Sequence, residues 1–421
     1  PTGSTLVLNQ TGGLSLGATT LTLSGGGNFQ SVGLDLNDAS SKLLLNSITV
    51  DSVSTSEDSL GLDVDADSTV SSLSVANITP VSIANTKTLS GAITVTAGSI
   101  KLAETGTLAS SISMSGGVLD ADNSLTVSGA LTHTGNITLD VAETKTLTYT
   151  GDGITLGANT MTLSGGGSLN NTNALVLSDP DSKLLLNWIT VDNVSTTSDS
   201  LGLDVDADST VTSLTVANIT PVAIVSGSSL SGGITLTAGS LNLSEAGTLA
   251  STISMSGGVL DADESSTVSG ALSHTADITI DVAETKTLTY SGAAISVGAN
   301  TLTLSGGGSL VSGGLTLNDP SSMLLLNSIT VDNVSTTSYS LGLDIDADST
   351  VSSLSVANIT PVSIASGSSL SGGITVTSGS IKLTEPGTLA SSISMSGGAL
   401  DADNSLTVSG ALTHTGNITI D

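Results

Sequence analysis

Apolar and hydroxyl-bearing residues alternate along most of this chain. The pattern is clear in Thr20–Leu23, in Ile93–Thr96 and in Ile112–Met114, where every second residue is apolar. A period of two predicts β-strands with one buried face. Apolar residues at helical spacing are absent, and abundant Gly and β-branched residues disfavour helices. We therefore expect an all-β protein without α-helix.

The predicted strands are short and evenly spaced. Gly, Ser, Asn and Asp, which tolerate turns, separate the apolar anchors. Anchors that lie mostly six or seven residues apart, or twice that, are Ile93, Ile100, Ile112, Leu119, Leu125, Leu131 and Ile137. Three such strands close a coil of about 20 residues, and stacked coils form a solenoid. The spacing predicts a right-handed parallel β-helix.

The chain contains three copies of one long sequence unit. Nearly identical segments, LLLNSITVD, LLLNWITVD and LLLNSITVD, begin at Leu43, Leu184 and Leu324, at offsets of 141 and 140 residues. We define copy 1 as residues 1–140, copy 2 as residues 141–281 and copy 3 as residues 282–421. No Pro-rich or charged linker separates them. A fixed period predicts an array, here a continuous rod of three solenoid repeats.

Copy 2 is one residue longer than the other copies, and the extra residue lies between Gly167 and Leu184. The flanking strand text keeps its register. A strand cannot absorb one residue without exchanging its buried and exposed faces. We therefore expect the insertion in a turn.

A string of three β-sandwich domains of about 140 residues is the alternative architecture. Sandwiches have linkers and usually an aromatic-rich core. Aromatic residues make up 1% of this chain, with one Trp and one Phe. The composition favours a thin aliphatic core and hence the solenoid.

The excess of acidic over basic residues limits the classes of partner that this chain can bind. Lys and Arg together number 7, all of them Lys, against 37 acidic residues, for a formal net charge of −30. This charge disfavours binding to nucleic acid or anionic lipid. Without Cys the chain has no disulfide framework. No apolar run approaches membrane-spanning length, so we expect no membrane span.

Runs such as TLTLSGGG, VSGALTHTGNITL and GTLASSISMSGG carry a family resemblance. In these runs the chain resembles the β-helical repeat regions of large bacterial surface and secreted proteins: autotransporter-like passengers, filamentous-haemagglutinin-like exoproteins and giant adhesins. The resemblance covers all 421 residues. It implies export and a role in surface attachment or fibre building, and it brings no catalytic motif.

An Asp-x-Asp-x-Asp triplet occurs once in each copy. Closely spaced carboxylates with oxygen-only ligands suit Ca²⁺. The EF-hand spacing is absent, which favours a solvated acidic rim that prevents lateral aggregation over a Ca²⁺ site. The candidate Ca²⁺ ligands are Asp63, Asp65, Asp67, Asp204, Asp206, Asp208, Asp344, Asp346 and Asp348. A shorter second set comprises Asp120, Asp122, Asp261, Asp263, Asp401 and Asp403.

The sequence gives little support for a catalytic site or for another cofactor site. His133, His274 and His414 occur once per copy, too far apart in sequence to meet on a solenoid. We interpret them as outward-facing strand residues. No Ser is marked as a nucleophile, and the scarcity of Arg and aromatic residues disfavours a sugar-cleaving site. We expect a non-enzymatic protein without a cofactor, Ca²⁺ excepted.

These observations predict a structural role outside the cell or at its surface. No cap is visible at either terminus, so either the copies belong to a longer array or copies of the chain bind one another end to end. We expect a fibre, stalk or adhesin-type protein that assembles end to end. Cell-surface or polysaccharide ligands are further candidate partners. The alternatives are a carbohydrate-active β-helix enzyme and an ice- or mineral-binding solenoid.

Overall fold

A computed structural model describes residues 3–9 and 11–421. The described chain is an all-β parallel β-solenoid of about 21 turns, each about 20 residues long, without helix. The predicted fold class is thus confirmed. No segment of the described ranges forms a helix with the length and apolar character needed to span a membrane.

Two compact units, residues 1–213 and 214–421, make up the chain. In both units one sheet, called sheet 1, receives one strand from each turn. In the first unit its strands are Thr20–Ser24, Lys42–Asn46, Gly61–Ala66, Ile78–Ile83, Ser99–Leu102, Val118–Ala121, Ile137–Val141, Thr160–Ser164, Lys183–Asn187 and Gly202–Ala207. In the second unit they are Ile219–Ile224, Ser240–Leu243, Val259–Ala262, Ile278–Val282, Thr301–Ser305, Met323–Leu326, Gly342–Ile345, Ile359–Ile364, Ser380–Leu383, Ala399–Ala402 and Thr419–Ile420.

Sheet 2 takes up the rest of each turn, either as two short strands or as one long bent strand. In the first unit its strands are Thr5–Leu8, Leu14–Ser15, Asn28–Ser31, Leu34–Leu36, Thr49–Thr55, Ser68–Val75, Thr88–Val95, Thr107–Leu108, Ser111–Met114, Leu125–Val127, Leu131–His133, Thr146–Tyr149, Ile154–Thr155, Ser168–Asn171, Leu175–Leu177 and Thr190–Thr196. Strand Ser209–Val216 contains the boundary between the units. In the second unit they are Ser229–Leu236, Thr248–Leu249, Thr252–Met255, Ser266–Val268, Leu272–His274, Thr287–Tyr290, Ile295–Ser296, Ser309–Ser312, Leu315–Leu317, Thr330–Thr336, Ser349–Val356, Ser369–Val376, Thr388–Leu389, Ser392–Met395, Thr407–Val408 and Leu412–His414.

Alternation along each strand builds the core. In Lys183–Asn187, Leu184 and Leu186 are fully buried, whereas the residue between them faces outward. Strand Thr160–Ser164 pairs with Lys183–Asn187 in parallel and in register, so buried Met161 lies next to Leu184. Burial of a Leu side chain contributes about 1.5–3 kcal/mol, and the stacked aliphatic columns supply this contribution in turn after turn.

The bent strand Thr88–Val95 has a glycine at its bend. Strand Thr88–Val95 changes register against Ser68–Val75 between Gly91 and Ile93. Gly91 has φ 122°, and a Cβ there would lie 1.8 Å from the carbonyl oxygen of Val70. Only glycine permits both this conformation and this close approach. The bend lets one strand cover two sides of the core.

The extra residue of copy 2 lies in a turn, as predicted. Residues 172–174 connect Ser168–Asn171 to Leu175–Leu177, whereas copies 1 and 3 use two residues at this position. Asn171 at the start of the turn is fully buried. Its Nδ2 donates to the carbonyl oxygens of Asn173 (3.0 Å) and Asn193 (2.7 Å). The buried amide satisfies backbone groups that the longer turn would otherwise leave without partners.

Candidate functional site

Carboxylates stack on successive turns of sheet 1, and we call each stacked pair an acidic column. In the first unit Asp120 is in register with Asp140. In the second unit Asp261 is in register with Asp281. Neighbouring strands lie about 4.8 Å apart, so the backbone ladder holds each pair of like charges at close range. Both columns face outward from strands whose alternate residues are buried.

Lys101 forms ion pairs beside the column of the first unit. Its Nζ lies 3.2 Å from Asp120 Oδ2 and 3.0 Å from Asp122 Oδ2. The hydrogen bond to Asp122 is the largest contribution that raises the Lys101 pKa above its usual value. Burial raises the pKa of Asp120, and the hydrogen bond from Lys101 opposes that shift. The ammonium therefore offsets part of the effect of burial on Asp120.

The second unit has Asn242 where the first has Lys101. Asn242 is in register with Asp261, as Lys101 is with Asp120. Its Nδ2 donates to Asp263 Oδ2 at 2.9 Å. Burial, and then the charges of Asp263 and Asp281, raise the pKa of Asp261 to about 6. This carboxyl therefore titrates near pH 6, whereas a surface Asp ordinarily titrates at a clearly lower pH.

Copy 3 has the lysine again. Lys382 Nζ lies 3.1 Å from Asp403 Oδ2 and 4.0 Å from Asp401 Oδ2. The hydrogen bond to Asp403, with both aspartate charges, raises the Lys382 pKa. Copies 1 and 3 thus carry a lysine ammonium beside two aspartates of the next turn. Copy 2 has the neutral amide of Asn242 at the same position.

The first member of each Asp triplet lies beside a lysine in two copies. Lys42 Nζ is 2.7 Å from Asp63 Oδ2, and Lys183 Nζ is 2.7 Å from Asp204 Oδ2. Copy 3 has Met323 in the lysine position, in register with Gly342 as Lys42 is with Gly61. Burial and the charges of Asp346 and Glu385 raise the pKa of Asp344. A hydrogen bond from the Ser363 side chain opposes this shift. The same strand geometry therefore holds a Lys–Asp ion pair in copies 1 and 2 and places a methionine at the lysine position in copy 3.

The other triplet members lie at or beyond the strand end. Asp67 accepts a hydrogen bond from the Thr88 backbone N–H at 2.9 Å, and Asp348 accepts one from Ser369 at 2.8 Å. The middle residues, Asp65, Asp206 and Asp346, are exposed, as is Asp208. Among the described residues no three His, Asp or Glu side chains form a group that could hold a metal ion. Both interpretations of the triplets, as Ca²⁺ ligands and as a solvated acidic rim, stay hypotheses.

The interpretation of the histidines as outward-facing is wrong for His133 and His274. Each is half-buried and in register with a fully buried methionine, Met114 or Met255. His133 Nδ1 lies 3.1 Å from the carbonyl oxygen of Gly135, which ties the ring to its own turn. His414, in the last described turns, is exposed. His133 and His274 therefore contribute to packing at the rim of the core.

Cross-turn partners are the feature that the sequence analysis missed. Lys101 and Asp120 are 19 residues apart, close to one turn. Lys–Asp spacing of about one turn is therefore a signal that could have been read beforehand. Asp140 also lies in this column, with the Ser164 hydroxyl donating to its carboxylate.

Comparisons with protein families, with characterised proteins and with solved structures give no match to this chain.

Proposed function

We propose that this chain is a non-enzymatic structural protein of an extracellular fibre, stalk or adhesin at the cell surface. The observation that carries this proposal is the ladder of parallel strands that repeats from turn to turn over a narrow aliphatic core. Each turn is hydrogen-bonded to its neighbours. Such construction gives length and a long regular surface at low sequence complexity.

The surface chemistry supports a scaffold more than a catalyst. Two of the larger concavities, of about 430 and 450 Å³, each contain one titratable side chain, Asp67 and Glu284 respectively. Catalytic sites usually bring several such groups together with matched roles. The net charge of −30 instead suits a solvated surface that repels its own kind laterally.

End-to-end association is part of the proposal. In the first described strand Leu6 is 60% exposed, and in the last strand Ile420 is 62% exposed. These residues occupy strands that would continue the ladder if a further turn were added. A further turn, whether from the same polypeptide or from a second copy of the chain, would cover their apolar side chains and pair their backbone groups.

Electron microscopy of the 421-residue chain at low and high salt tests this association. We expect filaments that lengthen with salt, because screening weakens repulsion between the acidic subunits. Ile420→Asp should shorten the filaments, whereas Val32→Asp, at a position already 68% exposed, should not. Discrete particles at both salt concentrations, or equal effects of the two variants, would contradict end-to-end assembly.

A further inference from the structure

The corner between sheet 1 and sheet 2 has the same backbone in each copy but a different side chain in copy 2. The corner residue is Ser47 in copy 1, Trp188 in copy 2 and Ser328 in copy 3, with φ of 54°, 55° and 57°. This left-handed conformation is uncommon for residues other than Gly, Asn and Asp. The solenoid therefore presents the only Trp of the chain at a position fixed by its turn geometry.

One side of the Trp188 indole packs on the neighbouring turn. A Cβ on Gly166 would lie 2.9 Å from indole Cε3 and Cζ3, so the ring covers the glycine backbone. The Gly166 N–H also donates to the Trp188 carbonyl oxygen at 2.7 Å. Trp188 nevertheless remains 51% exposed. A supported indole that stays half open to solvent is a rigid platform for a flat apolar ligand surface.

Polar groups surround the platform. Thr190, Asp208 and Thr210 line the same shallow concavity, whose volume is about 210 Å³. Copy 1 has the corresponding Thr49, Asp67 and Thr69 in its concavity, but Ser47 replaces the indole. The indole is thus the feature that sets the copy 2 corner apart from an otherwise equivalent corner.

We propose that Trp188 and its polar surroundings bind a neutral glycan chain of pyranose rings. The C–H face of a pyranose ring would stack on the exposed part of the indole. The ring hydroxyls would donate to the Asp208 carboxylate, which has several lone pairs, and exchange hydrogen bonds with the threonine hydroxyls. The net charge of −30 disfavours acidic glycans. Glycan binding would give the proposed surface role a partner, and it can fail while filament formation succeeds.

An organic cation is the competing ligand, because indole rings and carboxylates both attract ammonium groups. Sites for quaternary ammonium groups usually enclose the cation in several aromatic rings. This concavity contains one aromatic residue, which favours stacking of a sugar ring over enclosure of a cation.

Intrinsic fluorescence isolates this site, because Trp188 is the only Trp. We expect cellohexaose to change the emission in a saturable way with a millimolar dissociation constant, as suits a shallow site. Hexagalacturonate, an acidic control, should bind more weakly. Emission that does not respond to cellohexaose, or that responds more strongly to choline at the same concentration, would overturn the glycan assignment.

Variants at the equivalent corners provide matched controls. Trp188→Ser reproduces the residue of copies 1 and 3, so it should keep the fold and abolish saturation-transfer NMR signals from cellohexaose. Ser47→Trp places an indole beside Thr49, Asp67 and Thr69, and it should double the number of sites measured by calorimetry. Unchanged binding in Trp188→Ser with a native circular dichroism spectrum would refute the role of the indole. A Ser47→Trp protein with native circular dichroism and one site would refute the claim that the corner geometry suffices.

Discussion

Two turns of the solenoid have equivalent strand pairing but different charge. One contains Lys101 and the other contains Asn242 at the same position. Both place an aspartate pair in the same register, Asp120 with Asp140 and Asp261 with Asp281. The lysine forms ion pairs in the first turn, while in the second the pKa of Asp261 rises to about 6. The strand ladder thus fixes where the carboxylates lie, burial raises the pKa of both Asp120 and Asp261, and Lys101 opposes that shift at Asp120.

Truncation of the buried leucine beneath each acidic column should have the largest effect on stability. The loss of stability should be equal at the two columns. Leu119 and Leu260 are each 1% exposed. Leu119→Ala and Leu260→Ala should each lower local stability by about 2–5 kcal/mol, since each leaves a cavity. Hydrogen exchange of the surrounding amides measures the loss turn by turn. A large difference between the two variants would show that the turns differ in packing as well as in charge.

Asp261→Asn should stabilise the protein at pH 7 by up to ~1 kcal/mol, because it removes an uncompensated charge from a half-buried site that solvent partly screens. Asp120→Asn is the control and should stabilise less, because it also removes the acceptor of Lys101. Urea unfolding at pH 7 compares the two variants. An equal or larger gain from Asp120→Asn would contradict the difference that we assign to Lys101.

The same pair of proteins has a defined pH dependence. The pKa of Asp261 is about 6 in the folded state and near 3.8 in the unfolded state. Between these values the folded state binds more protons, so this group's contribution to stability is greatest at low pH and decreases as pH rises through the window. The advantage of Asp261→Asn should therefore disappear near pH 4. A constant advantage from pH 4 to 7 would exclude titration of Asp261 as its cause.

If Lys101 and Asn242 are exchanged between the two turns, the pKa values of the neighbouring aspartates should shift in opposite directions. Asn242→Lys should lower the pKa of Asp261 by about one unit, because an opposite charge at hydrogen-bonding distance favours the ionised form. Lys101→Asn should raise that of Asp120. Carboxyl ¹³C NMR titration reads both values. If neither value moves, burial alone determines the proton affinities.

Met323→Lys should give copy 3 the ion pair of the other copies. The new ammonium would lie near Asp344, lower its pKa and add about 0.2–1 kcal/mol, the usual range for exposed pairs. Thermal unfolding at low and high salt measures the gain, which salt should weaken. Met323→Leu is the uncharged control, and an equal gain from it would assign the effect to packing.

Calcium should have the smallest effect. We expect CaCl₂ to shift the melting temperature no more than NaCl of matched ionic strength, since Asp63 and Asp204 already pair with lysines. A larger shift that Asp65→Asn and Asp346→Asn remove would instead support the triplets as Ca²⁺ ligands.

Fold prediction succeeded here because the relevant pattern is local. Alternation in a segment such as Ile93–Thr96 identifies a strand, and the period of the copies identifies an array. The insertion near Asn171 could be placed in a turn because any other position would invert a strand. These inferences need no knowledge of how many residues each turn contains.

Contacts between turns are harder to predict, because turn length varies. Lys101 reaches Asp120 across 19 residues, whereas the Ser164 hydroxyl reaches Asp140 across 24. A fixed spacing of 20 residues would miss the second pair. The inward position of His133 was missed for a related reason: the short strand Leu131–His133 offers too few residues for its buried face to be read from alternation.

Three copies share about 21 turns, or about seven turns each. Because a copy corresponds to a near-whole number of turns, the gain or loss of one copy would add or remove complete turns and leave the junction strands in register. The number of copies can therefore change without exchanging the buried and exposed faces of any strand.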